Sequence, residues 1–274
     1  YARDSSGAVR TSRHGQNFAD WRCRNRQIDH AAICQHIEKI TLELGGKSPL
    51  LVFDDCDFEL AVQTALDANF YTAGEVCSNA TRVFVQRSIA DKFIAAMVDK
   101  TERMVVGDPM AADVNMGALI SASHLGKVLD YVKIGRAEGA QIATGGKQIH
   151  PQGFENGYFM EPTILTNCTD SMRVTREEIF GPVMSVLIFD DEQDAIERAN
   201  STEFGLGAGV MTTDLSRAHR VADALISGNV WVNSFNILPP GLPCGGAKQS
   251  GFGRENSIYT LDAYSEVKSV HITL

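Results

Sequence analysis

A cysteine and a glutamate that lie 34 residues apart (77 − 43) are the side chains of this sequence best suited to chemistry. Cys77 lies in segment 70–82 (FYTAGEVCSNATR), and Glu43 lies in segment 42–49 (LELGGKSP). A thiol is a strong nucleophile only as the thiolate, and it therefore needs a base or an electropositive setting nearby. A carboxylate among small residues can accept a proton or prepare a water for attack. The pair suits a reaction that passes through a thiohemiacetal or a thioester.

Two further segments contain residues that could bind a ligand. Segment 177–183 (EEIFGPV) contains Glu178, and a carboxylate can bind the two neighbouring hydroxyls of a ribose. The alternative is a solvated pair of glutamates before a strand. Segment 243–255 (PCGGAKQSGFGRE) is rich in glycine and could be only a loop. Gly45 and Gly46 permit a close approach of backbone to a ligand, or they form only a tight turn.

The elements that must position these residues follow from the hydrophobic pattern. Strands separated by helices of this length predict an α/β fold with a parallel sheet and right-handed crossovers. Asp57 is predicted to cap the first helix. Trp231 lies in an apolar strand and is predicted to belong to the core. The predicted strands are 50–53, 81–85, 141–143, 183–189, 207–211 and 229–233, and the predicted helices are 57–70, 88–104, 122–138, 192–200 and 215–226.

Composition limits the classes of function. The chain has 274 residues, 44% of them hydrophobic, and a formal net charge of −9. This acidic balance argues against nucleic acid or an anionic membrane as a partner, because both require basic surface. No apolar run approaches the roughly 20 residues that span a bilayer. Six cysteines without paired spacing favour reduced thiols and a cytoplasmic location.

Four segments in this order, namely 42–49, 70–82, 177–183 and 243–255, closely resemble motifs of the aldehyde dehydrogenase superfamily. The resemblance runs from about residue 40 to residue 274. It implies oxidation of an aldehyde to a carboxylate with NAD or NADP as cofactor. In the family the cysteine of the second motif is the nucleophile and the glutamate of the first is the general base. Those residues are Cys77 and Glu43.

The resemblance also implies positions that bind the cofactor. In the family the turn after the general base touches the nicotinamide end of the cofactor, which makes Gly45 a predicted contact. The second glutamate of the third motif binds the nicotinamide ribose, and the phenylalanine packs near the ring. Those positions are Glu178 and Phe180.

Segments 76–85 (VCSNATRVFV), 230–233 (VWVN) and 267–270 (VKSV) look most like the bacterial betaine aldehyde branch of the superfamily. This likeness implies betaine aldehyde as substrate and glycine betaine as product. An aminoaldehyde substrate and a catalytically inert remnant are the alternatives.

The same branch has a site for a monovalent cation, potassium, to which matching lysine and glycine positions contribute. Those positions are Lys248 and Gly251, and only the carbonyl of the lysine is a reasonable cation ligand. The final glutamate of the motif is a charge-relay residue in that branch, and it corresponds to Glu255. Cys244 departs from the aromatic or aliphatic residue that the family usually has before Gly-Gly.

The chain is predicted to have three regions. Residues 40–245 form the catalytic domain, and residues 246–274 form a return segment and an oligomerisation arm. Residues 263–274 alternate like a strand, which in the family joins a neighbouring subunit and predicts a homo-oligomer, a dimer or a tetramer. An ordinary edge strand on its own domain is the alternative. Residues 1–39 do not match the family and are interpreted as a remnant of the cofactor domain. Reading codons for residues 21–30 one base later permits a glycine-rich loop (GGVATGKSIM), and a frameshifted translation is therefore our hypothesis.

Overall fold

The computed structural model describes residues 17–20, as backbone only, and residues 39–274. Strands and helices alternate along most of this length. The strands are β1 (Asn17–Asp20), β2 (Ile40–Glu43), β3 (Pro49–Val52), β4 (Arg82–Gln86), β5 (Gln141–Thr144), β6 (Gln148–Ile149), β7 (Phe159–Met160), β8 (Thr163–Thr166), β9 (Val183–Phe189), β10 (Phe204–Gly205), β11 (Gly207–Met211), β12 (Asn229–Val232), β13 (Ala247–Lys248) and β14 (Gly251–Phe252). The helices are α1 (Phe58–Phe70), α2 (Ala90–Glu102), α3 (Ala122–Ala137), α4 (Arg173–Arg176), α5 (Glu192–Asn200), α6 (Leu215–Ala224) and α7 (Ile258–Tyr264).

A seven-stranded sheet of order β12-β11-β3-β4-β9-β8-β5 forms the centre of the fold. The predicted parallel α/β sheet is confirmed for every neighbouring pair in it except the last. Strand β5 pairs antiparallel to β8, which corrects the parallel orientation expected for residues 141–143. The reason lies in the connection between them, because residues 145–162 contain the β6–β7 hairpin and no helical crossover.

Helices cover both faces of this sheet. Side chains of a strand alternate between faces, so Leu50 and Val52 pack in the cluster that contains α1, α2 and α3, whereas Leu51 packs in the cluster that contains α5 and α6. Asp57 caps α1 as predicted, because its side chain accepts a hydrogen bond from the Leu60 amide at 3.1 Å. In the described part of the chain, no helix combines the length and the apolarity needed to cross a bilayer.

A second, small sheet holds the strand that ends at Glu43. Strand β2 lies parallel to β1 and antiparallel to β14, and Glu43 and Gly251 are register partners. The glycine-rich segment 243–255 is therefore more than a loop, because it contains β13 and β14 and returns to β2. The frameshift hypothesis concerns residues that lie almost entirely outside the described ones.

The C-terminal segment differs from the prediction. The strand expected over 263–274 does not form within the chain, because Ala263 belongs to helix α7 and residues 265–274 have no strand. A strand requires a hydrogen-bonded neighbour, and no described strand pairs with these residues. The apolar residues of the segment are exposed instead, and Val267 is 99% exposed.

Candidate active site

The loop that follows Glu43 brings three of the four motifs together. A Cβ atom on Gly45 would lie 2.3 Å from Oε2 of Glu178, and a Cβ atom on Gly46 would lie 2.7 Å from the carbonyl oxygen of Cys77. The Gly46 amide donates a hydrogen bond of 3.0 Å to Oε1 of Glu178. Neither glycine has a positive φ. Close approach of other groups, rather than a left-handed turn, therefore favours glycine at both positions: a side chain at Gly46 would meet backbone, and one at Gly45 would displace the Glu178 carboxylate.

The loop that contains Cys77 (residues 75–81, the Cys77 loop) and the turn before it pack against the segment that contains Phe180. The Cys77 loop follows helix α1 through a 3₁₀ turn in which Thr72 and Ala73 have φ of 52° and 53°, a region that residues with a Cβ rarely adopt. Gly74 has a φ of 73°, and a Cβ atom there would lie 2.3 Å from the carbonyl carbon of Gly181. Packing against residues 180–182 thus holds the loop in an unusual backbone conformation.

The other side of the loop is fixed by residues that follow β12. The Ser78 hydroxyl lies 2.6 Å from Oδ1 of Asn236, and Nδ2 of Asn236 donates to Oδ1 of Asn79 at 3.0 Å. Trp231, predicted to belong to the core, is only 6% exposed and donates from Nε1 to the carbonyl of Ile237 at 2.8 Å. That prediction is confirmed.

Glu43 and Glu255 lie around one cysteine. The backbones of Cys244 and Glu255 exchange two hydrogen bonds of 3.0 Å and 2.7 Å. The Thr41 hydroxyl donates to Oε1 of Glu255 at 3.0 Å. Burial raises the pKa of the Cys244 thiol, and the negative charge of Glu43 raises it further. The first and fourth motifs therefore form one side of the site.

Ser250, in the fourth motif, is hydrogen-bonded to the first motif. This residue was not identified from the sequence. Its hydroxyl donates to the carbonyl of Gly45 at 2.7 Å and accepts from the Gly205 amide at 3.0 Å, and the residue is completely buried. Its carbonyl accepts from the Leu44 amide at 3.0 Å. The signal was its place inside the fourth motif.

The described cysteines other than Cys77 lie in settings that disfavour the thiolate. Burial raises the pKa of Cys56 and that of Cys168 to about 11 each, and it raises that of Cys244. None of the four described cysteines forms a disulfide, and Cys77 is half-buried.

The side chain of Lys248 is hydrogen-bonded to backbone carbonyls and does not contribute to a cation site. Its ammonium donates to the carbonyls of Asn200 at 2.8 Å and of Thr202 at 3.2 Å. Gly251 has a φ of 115°, and a Cβ atom there would lie 1.9 Å from the carbonyl oxygen of Leu42. In the described ranges, no three His, Cys, Asp or Glu side chains are grouped so that they could hold a metal ion. A potassium site at Lys248 and Gly251 would have to use backbone carbonyls.

Lys47, in the first motif, is buried without a partner for its amine among the described residues. It is 1% exposed, and its Nζ makes no hydrogen bond. Burial lowers the pKa of Lys47 to about 7, and the neighbouring Arg82 contributes to this shift. Sequence reasoning gave this residue no role.

Phe180 and Glu178 are held by a helix that no motif indicates. Phe180 has a φ of 61°, and its carbonyl oxygen lies 2.6 Å from Nε2 of His124 on helix α3. The same Nε2 atom lies 3.3 Å from Oε1 of Glu75, two residues before Cys77. Glu75 lies inside the second motif, but His124 is brought to the site only by the tertiary fold.

Comparison with known proteins agrees with the motifs. The model of the aldehyde dehydrogenase family matches residues 25–270. This match includes residues 25–39, which were interpreted from the sequence as part of a region that does not match the family. A betaine aldehyde dehydrogenase of Sinorhizobium fredii is 52% identical over 242 residues, which are 88% of this chain and 50% of that protein. The chain spans about half the length of the curated relatives it matches.

Two solved structures show the same fold. A point mutant of betaine aldehyde dehydrogenase from Staphylococcus aureus, in complex with NAD+ and with a BME-modified cysteine, has a TM-score of 0.87 and 42% identity. The match covers 90% of this chain and 51% of that chain. An aldehyde dehydrogenase mutant from Bacillus cereus has a TM-score of 0.88 and 40% identity, over 92% of this chain and 51% of that chain. The resemblance proposed from the motifs is confirmed, and the chain belongs to the aldehyde dehydrogenase family.

Proposed function

We propose that this chain carries the nucleophile and the carboxylates of an NAD-dependent dehydrogenase that oxidises betaine aldehyde to glycine betaine. The observation that carries the proposal is the loop of Gly45 and Gly46. It contacts the Cys77 backbone on one side and the Glu178 carboxylate on the other, so that an added Cβ atom would lie 2.7 Å from the former and 2.3 Å from the latter. This contact supports a single site built from three separate motifs.

In the proposed reaction, the Cys77 thiolate forms a carbon–sulfur bond with the aldehyde carbon, and the carbonyl oxygen takes up the negative charge. After oxidation of this thiohemiacetal to a thioester, Glu43 removes a proton from a water that attacks the thioester carbon. The carbon–sulfur bond breaks, which releases the carboxylate product and the Cys77 thiolate. In the proposal Glu255, whose carboxylate accepts from the Thr41 hydroxyl and whose backbone pairs with Cys244, passes on the proton that Glu43 receives.

The residues around the loop fit a nicotinamide cofactor. A carboxylate is an acceptor with about four lone-pair positions, the kind of group that binds ribose hydroxyls, and the Gly46 amide holds that of Glu178 beside the loop. Gly45 lacks a Cβ where one would meet that carboxylate, and Phe180 belongs to the same segment. When bound, NAD+ supplies the hydride acceptor. We choose NAD+ over NADP+ because the related Staphylococcus aureus protein was solved with NAD+.

The proposed substrate rests on the relatives. Their names support betaine aldehyde, whereas an aminoaldehyde is the alternative within the family.

A cytoplasmic location belongs to the proposal, because the nucleophile must remain reduced. The proposal also includes a homo-oligomer and a potassium ion bound through carbonyls of Lys248 and Gly251.

The test is NADH formation by the purified chain with betaine aldehyde, and with an ω-aminoaldehyde at the same concentration. We expect turnover with betaine aldehyde that Cys77→Ala abolishes and that Glu43→Gln lowers by about 100-fold or more. Faster turnover with the aminoaldehyde would reassign the substrate.

A second measurement separates an enzyme from an inert remnant. Iodoacetamide labelling followed by mass spectrometry is expected to modify Cys77 faster than Cys56 and Cys168, whose thiol pKa values are raised to about 11. Absent turnover together with equal labelling of all cysteines would favour the remnant.

A further inference from the structure

One face of helix α3 contacts the segment that contains Glu178 and Phe180. His124, Lys127 and Tyr131 lie three and four residues apart and so point to the same side of the helix. The Lys127 ammonium lies 3.4 Å from the carbonyl of Glu178 and 3.2 Å from that of Ile179. The Tyr131 hydroxyl donates to a Glu177 carboxylate oxygen at 2.7 Å. Side chains of this helix face therefore bind the segment mainly at the segment's backbone carbonyls.

The neighbours of the His124 imidazole determine that its Nε2 atom carries a hydrogen. Its Nε2 faces the Phe180 carbonyl at 2.6 Å and the Glu75 carboxylate at 3.3 Å. Both neighbours only accept hydrogen bonds, so Nε2 must carry a hydrogen that is shared between them. The His124 side chain is 3% exposed and that of Glu75 is 14% exposed, so water competes weakly for this contact.

Glu75 connects the imidazole to the Cys77 loop. Its Oε1 also accepts from the Ile120 amide at 3.2 Å, just before helix α3, and its own amide donates to the Thr72 carbonyl at 3.0 Å. Thr72 is one of the two residues of the 3₁₀ turn, with Ala73, that are held in the left-handed region. The strained turn before Cys77 is therefore attached at Glu75 to the helix that holds Phe180.

We propose that His124 is a positioning residue that couples the Cys77 loop to the Phe180 segment through Glu75. The proposal rests on the proposed function only for the roles of the two ends, nucleophile and cofactor contact. The coupling itself is a property of the fold, because one imidazole N–H joins residues from two segments that lie about 100 positions apart in the chain.

Hydrogen exchange of the intact chain, followed by mass spectrometry, tests the coupling without any turnover. The two peptides are 72–80, whose Glu75 and Asn79 amides are hydrogen-bonded, and 177–183, whose Glu177 and Val183 amides are hydrogen-bonded. We expect His124→Ala to raise exchange in both peptides by about tenfold, because a buried hydrogen bond to two acceptors is lost. His124→Gln, which keeps an N–H donor, is expected to restore most of the protection.

Two more variants make the result specific. Glu75→Ala is expected to loosen the same two peptides, and adding it to His124→Ala is expected to give no further increase. Glu75→Ala also serves if His124→Ala does not fold. Lys133→Ala is the matched control, because Lys133 is an exposed residue of the same helix whose ammonium contacts Asp130. It is expected to leave both peptides within about twofold of the parent.

Loosening of only one peptide, or of every peptide equally, would overturn the proposal in favour of a local or a global structural role. A readout at the nucleophile adds to this. A half-buried thiol is labelled when the structure around it opens locally. We therefore expect His124→Ala to raise the rate at which iodoacetamide labels Cys77 by about fivefold or more, while the rate for Cys168 stays unchanged. If labelling follows this pattern but the parent chain makes no NADH, the coupling stands and the proposed function fails.

Discussion

At the residue scale, Gly46 tests whether glycine is required at this position because other atoms lie close to it, rather than because its backbone is flexible. Gly46→Ala would place a methyl group 2.7 Å from the carbonyl oxygen of Cys77 and 3.2 Å from Cβ of Leu206. We expect a loss of about 1–3 kcal/mol in the free energy of unfolding, measured with urea, and slower labelling of Cys77.

Gly126→Ala is the control for this substitution. Gly126 is an exposed residue of helix α3 with nothing within 4 Å of the added Cβ atom. Alanine there is expected to stabilise the protein by about 0.5–1 kcal/mol, because it restricts the unfolded chain and favours the helix. Equal effects of the two substitutions would contradict the steric account of Gly46.

Lys47 predicts how stability changes with pH. Its pKa is lowered from 10.5 to about 7 in the folded protein, so the unfolded chain binds more protons between these two pH values. The free energy of unfolding should therefore rise as the pH increases from 7 towards 10. Lys47→Met is expected to remove most of this rise and to stabilise the protein by about 1–3 kcal/mol at pH 7.

Urea denaturation at several pH values measures the effect of Lys47→Met. Lys133→Met, at an exposed lysine, is the control and is expected to keep the slope of the parent. An unchanged slope in Lys47→Met would show that the buried amine does not cause the pH dependence.

At the element scale, helix α1 leads directly into the Cys77 loop, and its start depends on one side chain. Asp57→Ala removes the acceptor of the Leu60 amide and is expected to cost about 1 kcal/mol in the free energy of unfolding. Asp57→Asn keeps an acceptor oxygen and is expected to cost less than half as much. Thermal or urea denaturation of the two variants decides, and equal losses would rule out capping as the cause.

The elements also show what the sequence can and cannot predict. Strand β9 and helix α5 begin and end where the hydrophobic pattern predicts, because β9 is an apolar run buried on both faces and α5 buries Ala195 and Ala199 one turn apart. The short strands β2, β13 and β14 were not predicted, since two to four residues carry no period and depend on remote partners. The same holds for the candidate site. Its motif residues were predicted, whereas the bond from Ser250 to Gly45 joins positions 205 residues apart and leaves no local pattern.

At the scale of the whole molecule, the C-terminal segment exposes apolar side chains that suit a second copy of the chain. Val267, Val270 and Ile272 are 99%, 71% and 73% exposed. We expect the chain to sediment as a homo-oligomer and Val267→Asp/Ile272→Asp to sediment as a smaller species, because burying unpaired carboxylates is costly. Lys268→Ala is the matched control. A parent chain that sediments as a monomer at all concentrations would refute the oligomer.

The potassium proposal also belongs to the whole molecule, because binding to the folded state alone raises its stability. We expect a higher melting temperature in potassium chloride than in N-methylglucamine chloride at equal ionic strength, because the bulky organic cation cannot enter a site made of carbonyls. Gly251→Ala is a poor test, since its Cβ atom would meet the Leu42 carbonyl at 1.9 Å whether or not a cation is bound. Identical melting temperatures in the two salts would remove potassium from the proposal.

The bond between Ser250 and Gly45 has a consequence for the order of events during synthesis. A ribosome that has made residues 43–77 has produced Glu43 and Cys77, but not the Ser250 hydroxyl that donates to the Gly45 carbonyl beside them. Contacts of such large sequence separation form late, after the intervening chain has folded. In a nascent chain, the contact that fastens the loop beside Cys77 therefore cannot form before residue 250 has left the ribosome.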